Sequence, residues 1–182
     1  YNVNPITNYL TGHKFEDDGD VTLNTAVAEW FSNATTAEGT YGHISTWDTS
    51  QVTDFSSLFK SDSLAAGNEA NFNEDLSHWD VSRVTDMRHM FYHAPYFNQG
   101  IGDWDVSRVT DMTYMFYGCS VFNQDIGDWD TSAVASMGGL FREASSFNQD
   151  ISTWNVSSVT YMTAMFLDNW SFDLSYAPWY SG

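Results

Sequence analysis

A tryptophan recurs every 25 residues, at Trp79, Trp104, Trp129, Trp154 and Trp179, and Trp47 joins the series across a seven-residue insertion. A fixed period of this length restricts the chain to architectures in which one small unit stacks on its copies. A single unit of that size cannot bury its own apolar face.

Aligned on tryptophan, the other positions fall into columns. Next come Asp48, Asp80, Asp105, Asp130 and Asn155, then Thr49, Val81, Val106, Thr131 and Val156, then Ser50, Ser82, Ser107, Ser132 and Ser157. Val52, Val84, Val109, Val134 and Val159 stand five residues after each tryptophan. Met or Phe follows at eight, Met or Leu at eleven, and Phe59, Phe91, Phe116, Phe141 and Phe166 at twelve. The alternation around Trp104-Asp105-Val106 predicts a short strand with Asp103, Asp105 and Ser107 outward. Val109, Met112, Met115 and Phe116, spaced by three and four, predict a short helix or 3-10 segment. Strand plus helix makes the expected class α/β: a solenoid of about five to six 25-residue coils.

All seven methionines lie in two of these columns, which marks them as core. Cys119 shares a small-residue column with Ala94 and Ala144, which predicts an inert buried thiol. The pairs Phe72-Asn73, Phe97-Asn98, Phe122-Asn123 and Phe147-Asn148 predict an asparagine ladder tying neighbouring turns.

The ends break the period. Leu23, Val27, Trp30 and Phe31 lie at helical spacing within Val21 to Asn33, and a helix there would cover an open end of the stack. Residues 1–43 are read as N-terminal segment and capping helix, and 44–182 as repeats. Glu16-Asp17-Asp18-Gly19-Asp20 reads as a solvated turn that lacks the full calcium-loop pattern. The insertion at 60–71 reads as a bulge suited to contacts. Trp170, Trp179 and Tyr180 either close the last coil or leave an apolar end for a partner.

Six basic against 24 acidic residues give a net charge of −18, which argues against nucleic acid and anionic membrane surfaces. No apolar run is long enough to span a bilayer, so no membrane insertion is expected. The chain begins at Tyr1 without a signal, as a processed or truncated chain does. Asn33, Asn155 and Asn169 head glycosylation sequons, about the number chance gives 13 Asn among 38 Ser and Thr.

The run from Phe97 to Met112, with its FNQ, Ile101, Trp104-Asp105-Val106-Ser107, Val109 and Met112, resembles the BspA-like leucine-rich-repeat surface proteins. More narrowly, it resembles their mycoplasma-type lipoprotein repeat. The lead-in, with Ala26-Val27, Trp30 and Tyr41-Gly42-His43-Ile44, is similar as well. The resemblance implies a right-handed leucine-rich-repeat-like solenoid, extracellular or at the cell surface. Adhesion or binding is assigned to some members, and no catalytic residues carry over. Val109 and its equivalents stand where the ordinary leucine-rich pattern has Asn, so the backbone corner is expected to differ.

Stacked strands lie about 4.8 Å apart. The column of Asp48, Asp80, Asp105 and Asp130 would then be a ladder of charges repelling by roughly 0.9 kcal/mol per pair in water. Three readings compete. Each Asp bonds local Ser hydroxyls or backbone amides. Alternatively, Asp80, Asp105 and Asp130 chelate Ca²⁺ with Asp103 and Asp128 adding oxygens. In the third, the Asp column with Ser82, Ser107 and Ser132 forms a face for carbohydrate or protein, joined by Tyr92 and Tyr117. Arg83 and Arg108 are expected to pair with Asp80, Asp86, Asp105 or Asp111. His89 and His93 are expected to face solvent, since no third zinc ligand sits at motif spacing.

Uniform polar columns argue against an enzyme, because catalysis needs one repeat to differ from the rest. The leading expectation is a non-enzymatic recognition or adhesion module with no cofactor beyond Ca²⁺, binding a protein or glycan. The alternative is a subunit of an assembly or filament that meets its neighbours through its ends and the 60–71 insertion.

Overall fold

The computed structural model describes residues 13–16, 22–61 and 71–181. The acidic residues Asp17, Asp18 and Asp20, and most of the 60–71 insertion, lie outside the described residues.

One α-helix, α1, runs from Leu23 to Tyr41. The Thr22 hydroxyl starts it by accepting from the Thr25 amide at 3.3 Å. Its apolar stripe, Leu23, Ala26, Val27 and Trp30, is buried. The helix passes the expected end at Asn33. That residue leaves helical geometry (φ −159°, ψ 89°), and its Oδ1 accepts from the Thr36 amide, restarting the helix as an internal cap. Gly42, at φ 80°, ends α1 with its amide on the Glu38 carbonyl. Trp30 packs edge-on against Trp47, and Phe31 against Phe59 and Phe72, so α1 covers the rings of the first repeat. The segment 13–16 adds to this end. Lys14 bridges Asp48, and Phe15 is fully buried against Tyr41 and Trp47.

The α/β expectation fails. The described residues form no sheet, and within the repeats no α-helix and only the short 3-10 helices Ile44–Thr46 and Leu174–Tyr176, so the leucine-rich-repeat-like solenoid of strand-plus-helix coils is not what this chain builds. Isolated parallel bridges join Asp54, Asp86, Asp111, Ser136 and Tyr161, seven residues after each tryptophan. The segment expected to be helical carries the backbone bonds between repeats. In the second repeat the amides of Met87, His89, Phe91 and His93 donate to the carbonyls of Asp111, Thr113, Met115 and Tyr117 in the next. Three other junctions repeat this row of four. The intervening amides close tight turns instead, as Met90 does on Met87, Tyr92 on His89 and Ala94 on Phe91.

Left-handed residues explain this pattern. Ser57, His89, Tyr114, Gly139 and Ala164, ten after each tryptophan, all have φ between 54° and 61°. His93, Gly118, Glu143 and Asp168, at fourteen, are also left-handed. One such residue in four stops a helix and turns alternate amides toward the next repeat. The same three-and-four spacing of apolar residues still faces inward. For a non-glycine residue the conformation costs about 1–2 kcal/mol, offset here by the inter-repeat bonds. Ala164→Gly should therefore stabilise, by roughly 0.5–1 kcal/mol after the extra freedom glycine has when unfolded. Thermal melting should show a rise of about 2 °C; a fall would contradict the strain.

The core is a set of ring columns. Phe59, Phe91, Phe116, Phe141 and Phe166 stack at 5.5–5.8 Å. Phe72, Phe97, Phe122, Phe147 and Phe172 form a second stack at 5.8–6.1 Å. From Trp79 to Trp179 the indole Nε1 of each repeat donates one repeat back, Trp104 to the Leu76 carbonyl and Trp129 to Ile101, so a buried polar group is paired without breaking the stack. Six of the seven methionines are fully buried and Met162 is half-buried. The asparagine ladder forms as expected: the amides of Asn98, Asn123 and Asn148 donate to Oδ1 of Asn73, Asn98 and Asn123.

Candidate functional site

The aspartate column is spent on turns. Oδ1 of Asp48, Asp80, Asp105 and Asp130 accepts from the amides of Ser50, Ser82, Ser107 and Ser132 at 3.0–3.1 Å. This is the first of the three readings above, and it lowers the Asp130 pKa through Ser132. A second column does the same, with Asp54, Asp86 and Asp111 accepting from Ser56, Arg88 and Thr113. Part of the acidity of the chain is thus turn chemistry: a short carboxylate side chain accepts from the amide two residues on. The tryptophans beside the first column repeat at 6.2 Å, as between Trp129 and Trp154, wider than the strand spacing assumed for a charge ladder. Asp103 and Asp128 are exposed. Among the described residues no group of three or more His, Cys, Asp or Glu is placed to hold a metal ion.

Where the repeats lose uniformity, a different surface appears. Tyr92 and Tyr117 stack face to face at 4.7 Å. Lys60 lies over the Tyr92 ring at 5.5 Å and Arg142 over Tyr117 at 5.4 Å, so two of six cations cap the tyrosine pair across four repeats. His93 sits edge-on to both tyrosines, at 4.6 and 4.7 Å. His89 stacks on Tyr114 at 5.5 Å. The Tyr117 hydroxyl donates to Glu143 at 2.7 Å, and that carboxylate, helped by burial, pushes the phenol pKa up to about 12. Glycines make room for the rings. A Cβ at Gly118 would lie 2.7 Å from His93 Nδ1, and one at Gly139 would lie 2.2 Å from the Tyr114 ring.

His89 and His93 are half-buried within this cluster, so the expectation that they face solvent is corrected. Burial holds both pKa values below the ordinary 6.5, and Lys60 pushes the same way; Asp111 and Asp86 oppose it at His89, and Glu143 at His93. The unfolded chain therefore binds these protons more readily. Their contribution to stability is complete above pH 6.5 and is lost as pH falls through the lowered values. The carboxylates with lowered pKa, Asp75, Asp130, Asp150 and Asp173, act only below their ordinary 3.8. Melting temperature should fall in two separate acid steps. The double variant His89→Asn, His93→Asn, which suits left-handed backbone, should lose the upper one. A single step confined to strong acid in the unmodified chain would refute this.

Among the other residues singled out from sequence, Arg83 bonds Gln51, and Asp86 pairs with Arg88 instead. Arg108 makes no ion pair among the described residues. Cys119 is fully buried, its thiol donates to the Phe91 carbonyl, and burial drives its pKa far up, consistent with an inert thiol. Asn33 and Asn155 are exposed; Asn169 is buried with its amide nitrogen on the Phe147 carbonyl. Lys60, His89, His93, Tyr114, Arg142 and Glu143 were not assigned to a binding face from sequence. Their signal was the irregular residue choice ten, thirteen and fourteen places after tryptophan.

The family model described as "Mycoplasma protein of unknown function, DUF285" matches residues 18–101 and, in an overlapping stretch, 63–179. The chain belongs to this family, which is that of the BspA-like surface repeat proteins. The match carries no specific evidence for leucine-rich repeats. Neither the curated proteins nor the solved structures include a match. Among the described residues no helix is long and apolar enough to cross a membrane.

Proposed function

We propose that this chain is a non-enzymatic recognition module, acting outside the cell or at its surface, that binds a protein or glycan partner on the tyrosine-histidine face. The supporting observation is the break in repeat symmetry: Tyr92, Tyr114, Tyr117, His89 and His93 gather between Lys60 and Arg142 on a chain otherwise poor in cations. Tyrosine and arginine are favoured where partners bind, because they offer large contact area with few rotatable bonds and a polar rim. The Asp/Ser column, with Asp103 and Asp128 beside it, is a weaker contact surface, since its carboxylates already accept turn amides.

A screen of glycans and of proteins from the native source should yield a ligand whose affinity falls at least about tenfold in Tyr92→Ala, Tyr117→Ala. Asp105→Asn, Asp130→Asn should retain binding. The reverse result would move the partner to the aspartate face, and a screen without any ligand would defeat the reading. The module works without metal on this view. Millimolar Ca²⁺ should leave the melting temperature unchanged, whereas a rise reversed by EDTA would point to Asp80, Asp105 and Asp130 as ligands.

A further inference from the structure

Tyr92 and Tyr117 are held ring on ring, their planes 15° apart and their centroids at 4.7 Å. Main-chain bonds on either side fix the register, with the Phe91 amide on the Met115 carbonyl and the His93 amide on that of Tyr117. Lys60 and Arg142 lie over the two rings, and His93 stands edge-on to both. Both tyrosines are half-buried, so solvent still reaches them. The Tyr117 hydroxyl donates to Glu143 Oε1 at 2.7 Å. A phenol is hard to oxidise while it keeps its proton, and harder beneath a cation, because the ring would carry positive charge. A carboxylate at hydrogen-bond distance removes that obstacle by taking the proton as the electron leaves. Tyr117 thus has a base on its hydroxyl and a second phenol against its face. Elsewhere the two properties are separate. Tyr41 also faces a carboxylate, Glu29, but among the described residues its ring contacts are His13, Phe15 and Trp47. Tyr114 meets Tyr92 and Tyr117 only edge-on, at 6.5 and 5.8 Å.

We propose that Tyr92 and Tyr117 form an oxidative cross-linking site, at which a peroxide-driven one-electron oxidant, such as a haem peroxidase generates, joins the two rings by a carbon–carbon bond. Tyr117 gives one electron to the oxidant and its hydroxyl proton to Glu143. Tyr92 gives a second electron, and its proton passes to water. The two neutral radicals pair through carbons ortho to their hydroxyls. The hydrogen on each of those carbons then moves to its own phenol oxygen, restoring both aromatic rings. Glu143 releases its proton to solvent. Two electrons and two protons leave in all, and they reduce one hydrogen peroxide to two waters. The product is a staple between the second and third repeats. It closes a 25-residue loop, a constraint that falls mainly on the unfolded chain. The reaction needs no bound partner, so it stands or falls separately from recognition at the same face.

In the test, the dilute full chain is treated with hydrogen peroxide and a haem peroxidase. The chain should stay monomeric, show dityrosine fluorescence and lose the mass of two hydrogen atoms. Trypsin cuts after Arg88, Arg108 and Arg142, so Tyr92 and Tyr117 fall in different peptides, 89–108 and 109–142. Mass spectrometry should find these two joined, with fragmentation placing the bond at Tyr92 and Tyr117. Tyr92→Phe and Tyr117→Phe should each remove the joined pair, while Tyr96→Phe and Tyr114→Phe keep it. Glu143→Gln keeps the size of the side chain but not the base, and should slow the coupling at least about tenfold. Coupling only between chains, bonds at other tyrosines, an unslowed Glu143→Gln, or an unsubstituted chain that stays free of dityrosine each overturns the proposal. If Tyr117→Phe lacks a cooperative melt, the fragment masses from the unsubstituted chain decide on their own.

Discussion

Trp104→Ala should abolish most of the cooperative stability of this protein. The ring is 4 % exposed and stacks on Phe91, and loss of a buried tryptophan costs about 3–5 kcal/mol. Its Nε1 also pairs the Leu76 carbonyl at 3.1 Å. Leaving that buried acceptor without a donor adds roughly 1–3 kcal/mol. Set against a total of about 5–15 kcal/mol, the variant should be close to half-unfolded in mild denaturant. Trp104→Phe keeps a ring and deletes the donor, so it should lose distinctly less. Urea unfolding followed by circular dichroism measures both. A loss under about 2 kcal/mol for the alanine variant would mean that the indole column does not support the stack.

Gly139→Val should be the most damaging change away from the ring columns. The backbone there is at φ 61°, where a β-branched residue is strongly disfavoured. The added Cβ would fall 2.2 Å from the Tyr114 ring, so that ring must swing away. The amide of Gly139 also donates to the Thr163 carbonyl, and any backbone relaxation would weaken that junction. We expect a loss of about 2–4 kcal/mol, with Gly139→Ala intermediate. The displaced Tyr114 should also be visible in nuclear magnetic resonance spectra as a changed ring environment at His89, its stacking partner. An unperturbed His89 with full stability would show that Tyr114 does not lie on this glycine.

The inward and outward assignment of residues was legible from the period alone. Val109, Met112, Met115, Phe116 and Cys119 are fully buried, as their columns required. The backbone was not. Spacings of three and four fit a helix, and they fit a string of tight turns with a left-handed residue at every fourth place equally well. His89, Tyr114 and Ala164 carry no side-chain signal for φ near 55°. Only Gly118 and Gly139 hint at it, and each stands in a column its neighbours fill with other residues. The aspartate column by itself allows a local acceptor role, a metal site or a binding face. Their competing roles were separable only once Asp80, Asp105 and Asp130 were seen bonded to Ser82, Ser107 and Ser132. For the candidate site, the stacking of Tyr92 on Tyr117 followed from the repeat. The cations at its two ends come from repeats where tyrosine is absent, and only their departure from the tyrosine of that column marks Lys60 and Arg142.

By itself the sequence determined that tryptophan, phenylalanine and methionine share one interior, because a side chain recurring at a fixed interval must occupy the same depth in every repeat. It also determined the family. Tertiary structure alone decided the direction of the amides, since that depends on the sign of φ at a few residues whose strain is repaid by bonds to a neighbouring repeat 25 residues away.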